Sequence, residues 1–506
     1  MRFLKSCFCL LFSFTFLWAG AQRLIYSEPD RDDSRRMNFD IVGKVSGNFL
    51  IYKNLRGKNA IAVYNNDMKQ VAKEPLDFMP EERLINVDFF PYSDFSYMIY
   101  EYQRKNVVYC DAVKIDGQGK KASDIIQLDS SHIGFSSNDK IYSTTTSEDH
   151  SKILVYKINS RNRSNYIITT LLYDNNLNLL KRNRMDLSME ERDDYLSDFD
   201  VDNDGDIVFT KFIRNSSDNI GNTWFFWKEA QSDTLLRVDL TREKVYLDEV
   251  HVKVDNANKR YLLTSFYYKE RRGNIDGLYF YVWDKKTKTP VLENTVALGE
   301  ELRKEARGDA NSRMAFNDYF IRDILIRGDG GFAIGAESYY TTSRYNTWNR
   351  WNYLYGYPMS MYDYYTYSPM YSNWMWRNRF NNGQAVRYHA DNITLFGFDS
   401  SGKLMWSNVI HKEQFDDESD DRISYKLMKT GGQAHFLFNQ EEKRVQLLND
   451  FSADASGQLN RNPTLHNLDK GYEFMPKYAK QVSSRQMIIP CFRNNYICFA
   501  KLEYNN

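Results

Sequence analysis

Along this 506-residue chain the hydrophobic positions come in short runs, each cut by a polar or glycine turn and resumed at once. The pattern recurs in "DIVGKVSGNFLIY" at Gly47, "VDFFPYSDFSYMIY" at Asp94, "TTTSEDHSKILVY" at His150 and "DFDVDNDGDIVFTKF" at Asp204. It returns in "VHVKVDNANKRYLLTSF" at Asn256, "DILIRGDGGFAIG" at Gly330, "YKLMKTGGQAHFLF" at Gly431 and "AKQVSSRQMIIPCF" at Ser484. Two strand-forming runs around a turn signal predict a β-hairpin in each place.

A second hairpin follows most of the first ones, as in "IAVYNNDMKQVA", "TLLYDNNLNLLKRN" and "LFGFDSSGKLMWSNVI". Four short strands every roughly 50–60 residues is the signature of β-propeller blades. The expected fold is therefore all-β, a single propeller of about eight four-stranded blades. Seven is the alternative, because the unit at Lys140–Leu187 and the one after Asp421 have weak outer strands. Two β-sandwich domains fit less well, since no linker rich in Pro, Gly or Ser divides the chain. The last unit offers only "KYAKQV", "QMIIPCF" and "YICFAKLEY". A fourth strand, "QRLIYS" from the start of the mature chain, would complete it and leave no unpaired terminus.

The first residues change the picture of where this ring would reside. Arg2 and Lys5 precede an apolar run from Cys7 to Trp18 and a small-residue site at Ala19-Gly20-Ala21. That reads as a secretory signal peptide over residues 1–21, with 22–506 as the propeller. The run falls short of the roughly 20 residues a membrane span needs, and no later segment is apolar enough. Without Arg2 and Lys5, 65 basic residues face 67 acidic ones, a net charge of −2. Nucleic acid calls for a basic excess or stripe, so it is not an expected partner. Three cysteines then remain, too few for a disulfide scaffold, so a hydrophobic core must hold the fold. Cys491 and Cys498 would oppose each other across a turn at Asn494-Asn495 and form the disulfide candidate, with two buried thiols as the plainer reading.

One segment breaks the period. An insertion at 339–388 separates the second and third strands of its blade, and its Tyr339–Phe380 part holds eleven Tyr, four Trp and four Met with neither Lys nor Glu. Sixteen aromatic rings cannot all remain in water, since each buries about 150–250 Å² worth roughly 25 cal/mol per Å². Either the insertion packs on its own propeller as a cap, or part of it is covered by another molecule. Tyr, Trp, Met and Arg are the residues enriched at interface cores. The binding candidates are Trp348, Trp351, Tyr353, Tyr355, Tyr357, Tyr362, Tyr364, Tyr365, Tyr367, Tyr371, Trp374, Trp376 and Arg377. Sugar rings could stack on the same residues.

Catalytic patterns are missing from the sequence. The seven His residues are scattered, and no nucleophile elbow or phosphate loop occurs. No catalytic residue and no cofactor is therefore expected. "DVDNDGD" sets Asp200, Asp202 and Asp204 at alternate positions before Gly205, a weak calcium candidate, but Lys211 stands where a bidentate Glu belongs. Turn formation explains the same residues, so no metal is expected. The acidic run Asp416–Asp421 reads as a solvated loop between units.

The aromatic-heavy strands, the "GFDSSGKLMWSNVI" hairpin and Gln after the cleavage site resemble secreted β-propeller proteins of the Bacteroidota cell envelope. That resemblance implies a periplasmic or outer-membrane-associated location and a non-enzymatic binding or scaffold role, with an envelope protein partner such as an outer-membrane complex. The alternative is a glycan-binding or carbohydrate-active propeller with its site at the central channel. That would need a polar channel, not one packed with apolar side chains.

Overall fold

The structure, a computed structural model, describes residues 22–30, 34, 37–133, 140–162, 165–189, 194–214, 219–307, 309–343, 348–355, 386–417, 419–442, 445–465 and 471–504. Among them the chain is almost entirely antiparallel β, arranged in seven hydrogen-bonded sheets. The largest, of nine strands, consists of two four-stranded meanders joined through the two-residue strand Tyr246–Leu247. The repeating unit is thus a four-stranded meander. Its first strands are, in order, Asn38–Val45, Arg83–Pro91, Tyr142–Thr146, Asp194–Val201, His251–Asp255, Tyr319–Ile326, Tyr425–Thr430 and Lys480–Ser483. We refer to the meanders as units 1 to 8 in that order. All eight first hairpins anticipated from the sequence form at the expected turns.

Strand chemistry follows position in the unit. The third strand of unit 5, Gly277–Asp284, is buried at all but its last residue and reads as one apolar run. The outer strand of unit 3, Leu179–Ser188, alternates, with Met185 and Leu187 inward and their neighbours outward. Each unit packs face to face on the next through its own apolar cluster. Leu50, Tyr52 and Val63 of unit 1 meet Val87, Met98 and Tyr100 of unit 2. The series ends where Ile488, Phe492 and Phe499 of unit 8 pack on Phe49, Ile51 and Tyr64 of unit 1. The succession of sheets therefore returns to its start, a propeller-like arrangement.

The N-terminal strand Gln22–Tyr26 pairs antiparallel with Tyr496–Tyr504, from Gln22 opposite Tyr504 to Tyr26 opposite Ala500. Beside it, Asn494 and Asn495 both take positive φ (49° and 67°), the conformation a two-residue hairpin turn requires. Cys491 and Cys498 face each other across that hairpin. Their Sγ atoms are 3.0 Å apart, and both are buried free thiols.

Buried carboxylates staple one unit to the first strand of the next. Glu101 of unit 2 accepts the backbone N–H groups of Ile141 and Tyr142 on one oxygen, both at 3.1 Å. Glu249 accepts that of Ile321 at 2.7 Å, and Asp198 that of Val252 at 3.0 Å. Burial pushes the Glu101 carboxyl up to about 8, against the pull of nearby Lys140. A raised folded-state pKa contributes stability that is complete below the ordinary value near 4.5 and is lost as pH rises through 8. Between those limits the Glu101→Gln variant should therefore gain on the wild type, by up to about 1.4 kcal/mol per pH unit. Urea midpoints of both proteins at pH 5 and pH 8 check this, and parallel pH dependences would refute it.

Two elements lie outside the repeat. Helix α1 (Glu300–Arg307) and a short 3-10 turn at Asp309–Met314 fill the link between units 5 and 6. Acidic residues open α1, basic ones close it, and Leu302 and Ala306, four apart, face the core. The hairpin reading passed over this signal. The acidic run after Phe415 is only in part the solvated loop expected of it: Asp417 is exposed beside Arg387. Asp416, Asp420 and Asp421 are buried, paired with Arg422, Lys477 and the Tyr478 hydroxyl respectively.

Candidate functional site

On the first strand of each unit, three to seven residues before its hairpin turn, stands a polar side chain. Going round, these are Asp40, Asp88, Thr144, Asp200, Lys253, Asp323, Lys426 and Lys480. Their electrostatic neighbours follow this order. Burial raises the Asp40 carboxyl, Lys480 opposes that, and Asp88 adds to it. Burial likewise raises Asp200, to about 6, with Lys253 opposing. Asp323 is raised by burial against the hydrogen bond it accepts from the Tyr425 hydroxyl at 2.7 Å. The belt thus alternates acid and base from unit 4 to unit 7.

Within this belt lies a cavity of about 790 Å³, lined from units 3 to 7 by Asp198, Asp200, Lys253, Arg322, Asp323 and Lys426, among others. A second space of about 540 Å³ continues toward the hairpin turns, where Glu148, Asn256, Gly328 and Gly432 approach one another. The first space mixes charged and hydroxylated side chains with Val252, Ile324 and Leu427, whereas Ile324, Leu325, Leu395 and Phe436 make the second mainly apolar. Among the described residues no apolar plug fills the first space.

One wall of the cavity is wired to the insertion. Helix α2 (Arg350–Tyr355) sits between the second and third strands of unit 6. Arg350 is 7% exposed, and its Nε and Nη2 lie 2.6 and 2.5 Å from Asp248 Oδ2. It also donates to the Asn317 and Tyr319 carbonyls, and its guanidinium lies 3.9 Å from the Phe320 ring centroid. Next to Asp248, Glu249 faces His251 Nε2 at 3.6 Å, and His251 Nδ1 faces Asp198 at 3.3 Å in the cavity wall. Burial works against a charged His251, but its two carboxylate partners outweigh it and raise the imidazole to about 10. Both carboxylates favour the charged imidazole over the neutral one.

Around that anchor, Trp348 packs near Phe320 and Tyr339, at 6.5 and 6.3 Å between ring centroids, and Trp351 near Tyr268 at 5.8 Å. Both are partly buried against the core of units 4 to 6. These two rings hold the insertion down. Tyr353 and Tyr355 lie on α2 with side chains outside the described residues. Tyr357, Tyr362, Tyr364, Tyr365, Tyr367, Tyr371, Trp374, Trp376 and Arg377 also lie outside them.

The acidic loop at Asp200–Asp206 does not gather the three carboxylates of the calcium pattern. Asp200 faces the cavity. Asp202, Asp204 and Asp206 surround the Lys285 ammonium from unit 5 at 2.6, 2.7 and 2.9 Å. Asp202 Oδ1 also accepts the N–H groups of Asp204 and Asp206, and Gly205 supplies the positive φ (93°) the turn needs. The same aspartate cap recurs at Asp116, Asp174, Asp399 and Asp454. Among the described residues no cluster of His, Cys, Asp or Glu is placed to hold a metal ion, and no helix is long and apolar enough to cross a membrane.

No protein-family model and no curated protein matches this chain. It is similar to solved structures at low identity. Prolyl oligopeptidase B from Galerina marginata matches with a TM-score of 0.42 and 9% identity over 91% of this chain and 56% of that one. The polysaccharide lyase Uly1 matches at 0.38 and 9%, over 96% and 99%. An ulvan lyase of family PL25, bound to -[GlcA(1-4)Rha3S]-, matches at 0.37 and 9%, over 82% and 93%. The chain spans about half the length of the prolyl oligopeptidases it matches.

Proposed function

We propose that this chain is a non-enzymatic binding or scaffold protein of the cell envelope, exported by residues 1–21 and built as a closed propeller of eight blades. It works in the periplasm as a subunit of an outer-membrane-associated protein assembly, with the Tyr/Trp/Met-rich insertion as its contact surface. The observation that carries this reading is the Arg350 anchor. A buried guanidinium, fixed by Asp248 and two backbone carbonyls, gives the aromatic segment a rigid root. A rigid root lowers the ordering cost of docking. A variant lacking residues 356–385 but keeping α2 should retain its melting temperature and lose the envelope protein that cross-links to the full chain. Retention of that partner at full yield would disprove the docking role.

The charged, hydroxylated cavity supports a second reading, a glycan-binding propeller with its site at the centre. Carboxylates and ammonium groups on rigid strands suit sugar hydroxyls, and about 790 Å³ accommodates several sugar rings.

A further inference from the structure

The cavity lining carries more positive than negative charge. Six of its side chains are cationic: His251, Lys253, Arg322, Lys426, Lys429 and Lys477, with His251 protonated as derived above. Four are carboxylic: Asp198, Asp200, Asp323 and Asp420. The difference, six minus four, is +2 in the lining itself, with Glu249 behind His251 and Glu337 behind Arg322, each at 3.6 Å. Two of the acids are already engaged, Asp198 by His251 at 3.3 Å and Asp420 by Lys477 at 2.5 Å. The other two, Asp200 and Asp323, are raised by burial, with Lys253 and Lys426 respectively opposing the shift.

Lys253, Lys426 and Lys429 are different. None of the three ammonium groups has a hydrogen-bond or ion-pair partner among the described residues. Lys253 and Lys429 are open to the cavity, whereas Lys426 is half-buried and its pKa is pulled down by desolvation. Water solvates Lys253 and Lys429, whereas a ligand group would add most at the half-buried Lys426 ammonium, which the two exposed lysines flank. Lys253 and Lys426 flank Asp323 on the neighbouring first strands of units 5, 6 and 7. An anion between the two lysines would therefore have a carboxyl beside it, able to bond adjacent hydroxyls.

We propose that the cavity binds an acidic saccharide, its anionic group held by Lys253, Lys426 and Lys429 and its hydroxyls by Asp200 and Asp323. This rests on the glycan reading and narrows it to sugars carrying a carboxylate or a sulfate. Isothermal titration with hexagalacturonate, a sulfated hexasaccharide and neutral maltohexaose tests it, since the two acidic probes separate carboxylate from sulfate. At least one acidic probe should bind at least tenfold more tightly than maltohexaose. The Lys253→Gln/Lys426→Gln protein should lose at least tenfold of that affinity. Lys58→Gln, at a hairpin tip on the outside, should keep it. Melting curves should show little loss of stability in the double variant, because neither ammonium makes a hydrogen bond or ion pair among the described residues. If maltohexaose binds as tightly and the double variant is unaffected, the acidic class is wrong while the glycan reading survives. If no saccharide binds, both fall. Equal weakening by Lys58→Gln would mean diffuse charge attraction and would also overturn the site.

Discussion

A protein beginning at Glu28, without Gln22–Ser27, should lose about 5 kcal/mol of stability and associate through its exposed sheet edge. The removed strand alternates its side chains between two cores. Leu24 and Tyr26 pack between units 7 and 8, and Ile25 packs between units 8 and 1. Three partly buried apolar side chains contribute about 1 kcal/mol or more each, and each lost ladder hydrogen bond about 1 kcal/mol. Tyr26 also stacks on Tyr472 at 4.2 Å, and Ser27 exchanges hydrogen bonds with Phe499 at 2.8 and 2.9 Å. Gln22 reaches further, donating to the buried carboxylate of Asp450 in unit 7, which also accepts from the Tyr504 hydroxyl. Without the strand, the ladder of Tyr496–Tyr504 is left open to pairing with another molecule. Urea unfolding and gel filtration measure both effects, and a synthetic QRLIYSEP peptide should restore the midpoint. A truncated protein within about 1 kcal/mol of the full chain would show that the terminal strand is not a latch.

Replacing Arg350 with methionine should cost about 3–5 kcal/mol, because it leaves buried carboxylates without their cation. Asp248 is fully buried, and its other described partners are the Tyr268 hydroxyl at 3.1 Å and the Ser265 side chain next to its backbone. Burial raises the Asp248 carboxyl to about 6 even with Arg350 opposing, so its removal drives that carboxyl further toward the neutral form. Two backbone carbonyls and the face of Phe320 lose their donor as well. The Arg350→Met/Asp248→Leu double variant should recover most of the loss, since an apolar pair of similar volume can replace a buried ion pair. A thermodynamic cycle over the two positions measures the coupling. A single-variant cost below about 1 kcal/mol would mean that the insertion is held by Trp348 and Trp351 alone.

The two variants probe parts of the molecule that were unequally visible beforehand. The latch was legible because strand periodicity is local and one unit lacked a strand. The Arg350 anchor was not, because Arg350 and Asp248 are far apart in the chain and an arginine among tyrosines carries no mark of its partner. Trp348 and Trp351 were recognised as special, but their composition suits an anchor and a contact surface equally well.

By itself the sequence determined the all-β class, the hairpin positions and the N-terminal strand that pairs with the last one. Each of these depends on nearest-neighbour chemistry: alternating burial, turn residues that tolerate positive φ, and aspartates that cap their own loops. Only the tertiary structure decided which charges meet. Lys285 fills the acidic loop of the preceding unit, Lys477 neutralises Asp420, and Lys253 and Lys426 line one cavity with no hydrogen-bond or ion-pair partner among the described residues. Pairings of that kind join residues from different units, and their energies depend on burial and distance, neither of which exists until the units have packed together.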